Sequence, residues 1–136
     1  MQTSAPPTRR PEVRTTGPWA AALALDVLLV LLFAALGRRT HALDAAGLLG
    51  TAWPFLAGLG LGWLVWQVRR APFTAGPRAA ALWLTTVAAG MGLRLVAGEG
   101  TALSFVLVTL VVLGAFLLGP RALVQALRAV RARRPR

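Results

Sequence analysis

The chain has 136 residues, of which 57% are apolar and 14% are charged, whereas a soluble domain has about half and about a quarter respectively. It contains no cysteine, one histidine and four acidic residues, which excludes disulfides and thiolate zinc sites and leaves too few ligands for a metal site. Its net charge of +11 comes from fifteen arginines that lie mainly between and beyond apolar runs, so we expect a membrane protein without a nucleic-acid partner.

The first segment, residues 1–17, is rich in proline and threonine. Such a composition cannot bury enough apolar surface to pack. We predict a disordered cytoplasmic tail.

Four apolar segments follow, each close to the length of about 20 residues that a membrane-spanning helix needs. They are residues 19–36, 48–68, 79–97 and 102–119. Their composition favours helices over barrel strands, because the alternation of a barrel strand is missing. We therefore predict an all-α polytopic membrane protein, with a four-helix transmembrane domain over residues 18–120. The first span exceeds the about 7–15 apolar residues of a signal peptide, so we expect it to stay in the mature chain.

The arginines predict the orientation of these spans. Twelve lie before the first span, between the second and third, or after the fourth, and only Arg38 and Arg39 lie in the loops on the other side. Positively charged loops stay in the cytoplasm. Both termini should therefore be cytoplasmic, in the inner (plasma) membrane.

The last segment, residues 121–136, combines leucine and valine at helical spacing with arginine. This pattern predicts a short basic amphipathic helix lying on anionic inner-leaflet lipid. The arginines expected to contact headgroups are Arg121, Arg128, Arg131, Arg133 and Arg134.

Several short pieces resemble the membrane family called domain of unknown function 3054. They are "LDVLLVLLFAALGRRTH", "TAWPFLAG", "GMGLR" and "GTALSFV". The resemblance runs from about Asp26 to Arg121, and it marks Asp26, Phe33, Gly37, Arg38, Arg39, His41, Pro54, Phe55 and Arg94. It implies a four-helix membrane fold and no particular activity.

Asp26 lies in the middle of the first span. At about 1.5 Å per residue it is about 12 Å deep, and Thr86 and Thr109 lie at similar depths. Burial among apolar groups disfavours a charged carboxyl, so we expect a neutral Asp26 hydrogen-bonded to Thr86 or Thr109. The alternative is a proton or cation relay, which intramembrane acids often mark.

Arg94 lies about 12 Å higher than Asp26 on the same scale, which argues against a direct pair between them. We expect Arg94 to reach outward to Glu99 or Asp44 instead. The loop "GRRTHALDAAG" adds Arg38, Arg39 and His41 as candidates, because histidine titrates near neutral pH. A pH-sensing or ligand-contacting role and an ordinary polar loop both remain open for His41.

Small residues predict where helices approach closely. Gly58 and Gly62 form a GxxxG step, and Ala88 and Gly92 form a similar step. Both should pack within the bundle, with self-association as the alternative.

Three functional classes remain. The first is a structural or accessory membrane subunit, whose partners are the bilayer and either a second copy or a membrane protein. The second is a small oligomeric transporter or channel that uses Asp26, Arg94 and the threonines. The third is a membrane enzyme with Asp26 or His41 as acid–base group, but no nucleophile or catalytic motif is present. We expect no enzymatic activity and no cofactor.

Overall fold

The computed structural model describes residues 17–38 and 44–133, and these residues are all-helical. A short 3-10 turn, Val68–Arg70, lies between the second and third of four long helices. The helices are α1 (Pro18–Gly37), α2 (Ala45–Val65), α3 (Pro77–Val96) and α4 (Leu103–Ala132). All four are long and apolar enough to cross a membrane. The sequence prediction of an all-α protein with four such helices is therefore confirmed at this level.

Consecutive helices run antiparallel, so the bundle has two ends. The Pro18 end holds the starts of α1 and α3 and the ends of α2 and α4. The Gly37 end holds the ends of α1 and α3 and the starts of α2 and α4. Pro18 and Pro77 begin their helices, at a position where the missing N–H costs nothing. The buried core consists of aliphatic and aromatic side chains from all four helices.

Glycines set the spacing between α2 and α3. A Cβ on Gly58 would lie 2.8 Å from the carbonyl oxygen of Thr86, and one on Gly62 would lie 2.7 Å from Leu82. The structure therefore places both glycines in a close helix contact. Ala88 and Gly92 lie on the exposed face of α3, so the expectation that this second step packs within the bundle is wrong. Self-association through it stays a prediction.

The bounds of α2 differ from the predicted span of 48–68. Asp44 precedes the helix, and its side chain accepts a hydrogen bond from the N–H of Gly47 at 3.2 Å. This N-cap starts the helix three residues earlier. The helix ends before Gln67, whose φ of 48° is left-handed and interrupts helical geometry.

Helix α4 differs most from its predicted bounds. It continues through Pro120 to Ala132, so the predicted end at residue 119 and the separate surface helix are wrong. A proline removes one backbone hydrogen bond, which a packed membrane helix tolerates. Side chains beyond Pro120 hold the extension: Gln125 Oε1 accepts a hydrogen bond from the N–H of Ala75 at 3.1 Å. At about 1.5 Å per residue, the helix exceeds a bilayer core of about 30 Å.

Candidate functional site

Side chains from three helices meet at the carboxyl group of Asp26. We call Asp26, Trp63 and Arg121 the inner cluster. Asp26 in α1 is 1% exposed, and Arg121 in α4 is 2% exposed. The two terminal nitrogens of Arg121 donate to Oδ1 at 2.8 Å and to Oδ2 at 2.7 Å. The indole Nε1 of Trp63 in α2 donates to Oδ2 at 2.9 Å. A bidentate pair of this kind fixes orientation as well as charge.

The threonines that we expected beside Asp26 bond elsewhere. Thr86 donates to the carbonyl oxygen of Leu82 at 2.8 Å, and Thr109 donates to that of Phe105 at 2.7 Å. Both bonds run four residues back along the same helix, which is a common solution for a buried hydroxyl. The predicted neutral carboxyl bonded to a threonine is therefore wrong, and a charged partner takes its place.

Arg121 is consequently misassigned as a headgroup contact. Its guanidinium also donates to the carbonyl oxygen of Leu117 at 2.6 Å, and its Nε has no partner among the described residues. Pro72 and Phe73 of the α2–α3 connection cover the pair, and the remaining gap has no room for water. Within the inner cluster, Asp26 and Arg121 neutralise each other's charge, with no space for a water molecule beside them.

One sequence signal could have located Arg121. If α4 is counted past Pro120 rather than ended there, Arg121 becomes part of the bundle, about 10 Å nearer the Pro18 end than Asp26 when the helices run antiparallel. A long arginine side chain can close that gap. The usual interpretation of a proline as a helix end hid this position.

An aromatic layer lies next to the inner cluster, towards the Gly37 end. Phe33 and Phe55 pack edge to face with ring centroids 5.2 Å apart. Phe105 lies 6.4 Å from Phe33 and 6.5 Å from Phe55. Phe33 follows Asp26 by two turns of α1, so these rings separate the inner cluster from the end of the bundle.

A polar cavity of about 430 Å³ lies on the Gly37 side of these rings. We call it the outer cavity. Phe33 and Phe105 contribute apolar lining, and its charged lining consists of Arg38, Arg94 and Glu99. The volume falls in the range of about 300–1,000 Å³ that is typical of small-molecule sites.

Arg94 is the most enclosed cation of the outer cavity, with 13% of its side chain exposed. It forms a salt bridge to Glu99, with Nη1 and Oε2 2.5 Å apart, so Glu99 rather than Asp44 is its partner. Its guanidinium carbon lies 4.6 Å from the centroid of the Phe105 ring, at cation–π distance. The buried Nε has no hydrogen-bond partner among the described residues.

Arg38 lies on the opposite side of the same cavity. Its terminal nitrogens donate to Thr51 Oγ1 and to Asp44 Oδ1, both at 3.5 Å. The Arg38 side chain is 24% exposed. Arg39 and His41, the other two candidates from this loop, lie outside the described residues.

The remaining arginines of the predicted headgroup set lie on or just after the α4 extension. Arg128, Arg131 and Arg133 are exposed, and Arg134 lies outside the described residues. Within residues 17–38 and 44–133, no group of three histidine, cysteine, aspartate or glutamate side chains could hold a metal ion.

Comparison with known proteins gives one match. Residues 23–124 match the family described as protein of unknown function (DUF3054). No curated protein and no solved structure matches the chain. The matched range covers three quarters of the sequence and includes the inner cluster, the aromatic layer and the described lining of the outer cavity. The chain therefore belongs to the DUF3054 family.

Proposed function

We propose that this chain is a structural or accessory integral protein of the inner (plasma) membrane, and that it conducts neither protons nor cations. The observation that carries the proposal is the Asp26–Arg121 pair. Asp26 is the only acidic residue within the four helices, and Arg121 and Trp63 occupy both of its oxygens. A relay needs a carboxyl group that can exchange protons with water, whereas both oxygens of this carboxyl group accept hydrogen bonds from inside the protein.

The aromatic layer supports the same proposal. Phe33 and Phe55 are 4% and 0% exposed, and they pack between the inner cluster and the outer cavity. Any ion path through a single chain would have to separate these rings. Four helices leave little space for such a path, so transport would require an oligomer.

Charge at the two ends supports cytoplasmic termini. At the Pro18 end the described residues include Arg69, Arg70 and Arg78, together with the exposed arginines of the α4 extension. The described arginines at the Gly37 end are Arg38 and Arg94, and both form salt bridges. By the positive-inside rule the Pro18 end faces the cytoplasm.

Proton flux in liposomes tests the proposal. The purified protein is reconstituted with a pH-sensitive dye inside the vesicles, and a potassium gradient with valinomycin drives protons inward. We expect the flux to equal that of protein-free vesicles. The double variant Asp26→Leu/Arg121→Met keeps the site apolar and neutral, so it should insert equally well and give the same low flux.

A proton flux well above the protein-free level that disappears in the double variant would overturn the proposal. The transporter alternative, built on Asp26 and Arg94, would then be preferred. The outer cavity favours that alternative, because it gives Arg94 access to one side of the bundle.

A further inference from the structure

A cavity of about 290 Å³ lies at the Pro18 end, among the start of α1, the α2–α3 connection and α4. Its charged lining consists of Arg70, from the 3-10 turn, and Arg128, from the α4 extension. Pro18 and Phe73 contribute apolar lining, and Thr74 contributes a hydroxyl group. We call this space the basic cavity. It shares no lining residue with the outer cavity.

The two arginines reach the basic cavity from backbone that is already fixed. Gln125 of α4 accepts a hydrogen bond from the N–H of Ala75 at 3.1 Å, which holds the connection beside α4. Arg128 follows Gln125 by three positions and so lies next to it on the same helix face. The N–H of Arg70 donates to the carbonyl oxygen of Gln67 at 3.0 Å. A site whose backbone is set in advance pays less entropy when a ligand binds.

No described carboxylate neutralises the charge of the basic cavity. The structure describes three acidic side chains: Asp26 lies in the buried pair, and Asp44 and Glu99 form their salt bridges at the Gly37 end. Arg70 and Arg128 are both exposed. Among residues 17–38 and 44–133, both positive charges therefore remain available to a ligand that enters the cavity.

The basic cavity lies at headgroup level when the four helices span a bilayer. Helix α1 begins at Pro18, which lines the cavity, and has 20 residues. At about 1.5 Å per residue this length matches a hydrocarbon core of about 30 Å. Trp19 is the next residue and is 45% exposed, and tryptophan favours the interface between acyl chains and headgroups. The phosphates of neighbouring lipids therefore lie at the height of the cavity.

We propose that the basic cavity binds the phosphate of one anionic phospholipid. Arg70 and Arg128 donate to the phosphate oxygens from two sides, because guanidinium groups bind phosphate through paired hydrogen bonds. The hydroxyl group of Thr74 supplies a further donor. The glycerol part of the lipid contacts Pro18 and Phe73, and the acyl chains stay in the bilayer. A free phosphate ion shares the recognition chemistry, but only the lipid also makes these apolar contacts.

This site goes beyond the structural role proposed above. It rests on membrane insertion, but not on which end faces the cytoplasm, nor on the absence of ion transport. It also differs from the general attraction between arginine and anionic lipid, to which every exposed arginine at the Pro18 end contributes. A discrete site depends instead on the two arginines that line the cavity.

Mass spectrometry of the intact protein released from detergent tests the site. The probes are phosphatidylglycerol, phosphatidylcholine and soluble glycerol phosphate, each titrated into delipidated protein. We expect one phosphatidylglycerol to bind per chain, about tenfold more tightly than phosphatidylcholine, whose choline group adds a positive charge beside the two arginines. Glycerol phosphate should compete weakly, because it lacks acyl chains.

Two pairs of variants separate the site from general attraction. Arg70→Gln is matched by Arg69→Gln in the same 3-10 turn, and Arg128→Gln by Arg131→Gln in the same helix. All four arginines are exposed, and the two control residues do not line the cavity. Arg70→Gln and Arg128→Gln should each weaken phosphatidylglycerol binding about tenfold. Both controls should stay within about twofold of the wild type, because salt screens exposed charges outside the site.

Other outcomes would overturn the proposal. Equal losses in all four variants would replace the site with general attraction. Full binding by Arg70→Gln or Arg128→Gln would reject the basic cavity as the place of binding. Equal affinity for glycerol phosphate and phosphatidylglycerol would identify a soluble anion as the ligand. Equal affinity for the two lipids would reject selection by charge.

Discussion

Removing either member of the Asp26–Arg121 pair should destabilise the bundle, and removing both should not. Asp26→Leu leaves a guanidinium 2% exposed without its counterion. Arginine cannot lose its charge in a protein, so breaking a buried pair in this way costs about 3–5 kcal/mol. Because the freed side chain can extend towards the nearby Pro18 end, we expect the lower limit, about 3 kcal/mol.

Removing Arg121 instead of Asp26 should cost less stability. In Arg121→Met the carboxyl group of Asp26 keeps its hydrogen bond from Trp63. The remaining loss is that of an incompletely satisfied buried group, about 1–3 kcal/mol. The double variant replaces both charges with apolar side chains of similar length, and it should return to within about 1 kcal/mol of the wild type.

Unfolding in mixed micelles titrated with dodecyl sulfate, followed by far-ultraviolet circular dichroism, measures the stability of the wild type, the two single variants and the double variant. Arg128→Met, an exposed arginine in the same helix, controls for loss of charge alone and should change stability by less than about 0.5 kcal/mol. The coupling between Asp26 and Arg121 should reach at least about 3 kcal/mol. Strictly additive single losses would refute the pair as a structural link between α1 and α4.

Three further predictions concern orientation and packing. Reporters fused to either terminus should behave as cytoplasmic and one inserted near Thr40 as external; a periplasmic C-terminal reporter would reverse the assigned sides. Gly58→Ala should cost about 1–3 kcal/mol in the same unfolding assay, because its Cβ meets the backbone of α3, whereas Gly60→Ala, with no atom within 4 Å, should be neutral; equal losses would contradict the close contact. Trp63→Phe removes one buried hydrogen bond and should cost about 0.6–1.7 kcal/mol, more than Trp66→Phe, whose bond to Thr85 is exposed; the opposite order would contradict the inner cluster.

The four helices could be predicted from sequence because apolar length is a strong and local signal. The salt bridge between Arg94 and Glu99 was also within reach, because the two residues are five apart at the end of α3. Both inferences need only the positions of neighbours along the chain.

The inner cluster could not be predicted in the same way. Asp26 and Arg121 are separated by 95 positions, and no periodicity connects residues so far apart. Ending α4 at Pro120 then placed Arg121 outside the bundle. Asp26→Asn keeps a donor and an acceptor at this position, but an amide cannot neutralise Arg121, so we expect that variant to be destabilised.

The separation of Asp26 and Arg121 along the chain also determines when, during synthesis, the aspartate acquires its counterion. A ribosome delivers α1 first, and the arginine that neutralises its carboxyl group belongs to the second half of the last helix. During synthesis of α2, α3 and most of α4, the nascent chain therefore holds an aspartate whose counterion does not yet exist. A polypeptide that stops before residue 121 keeps that unmatched acid permanently, so completion of the membrane bundle depends on completion of the polypeptide.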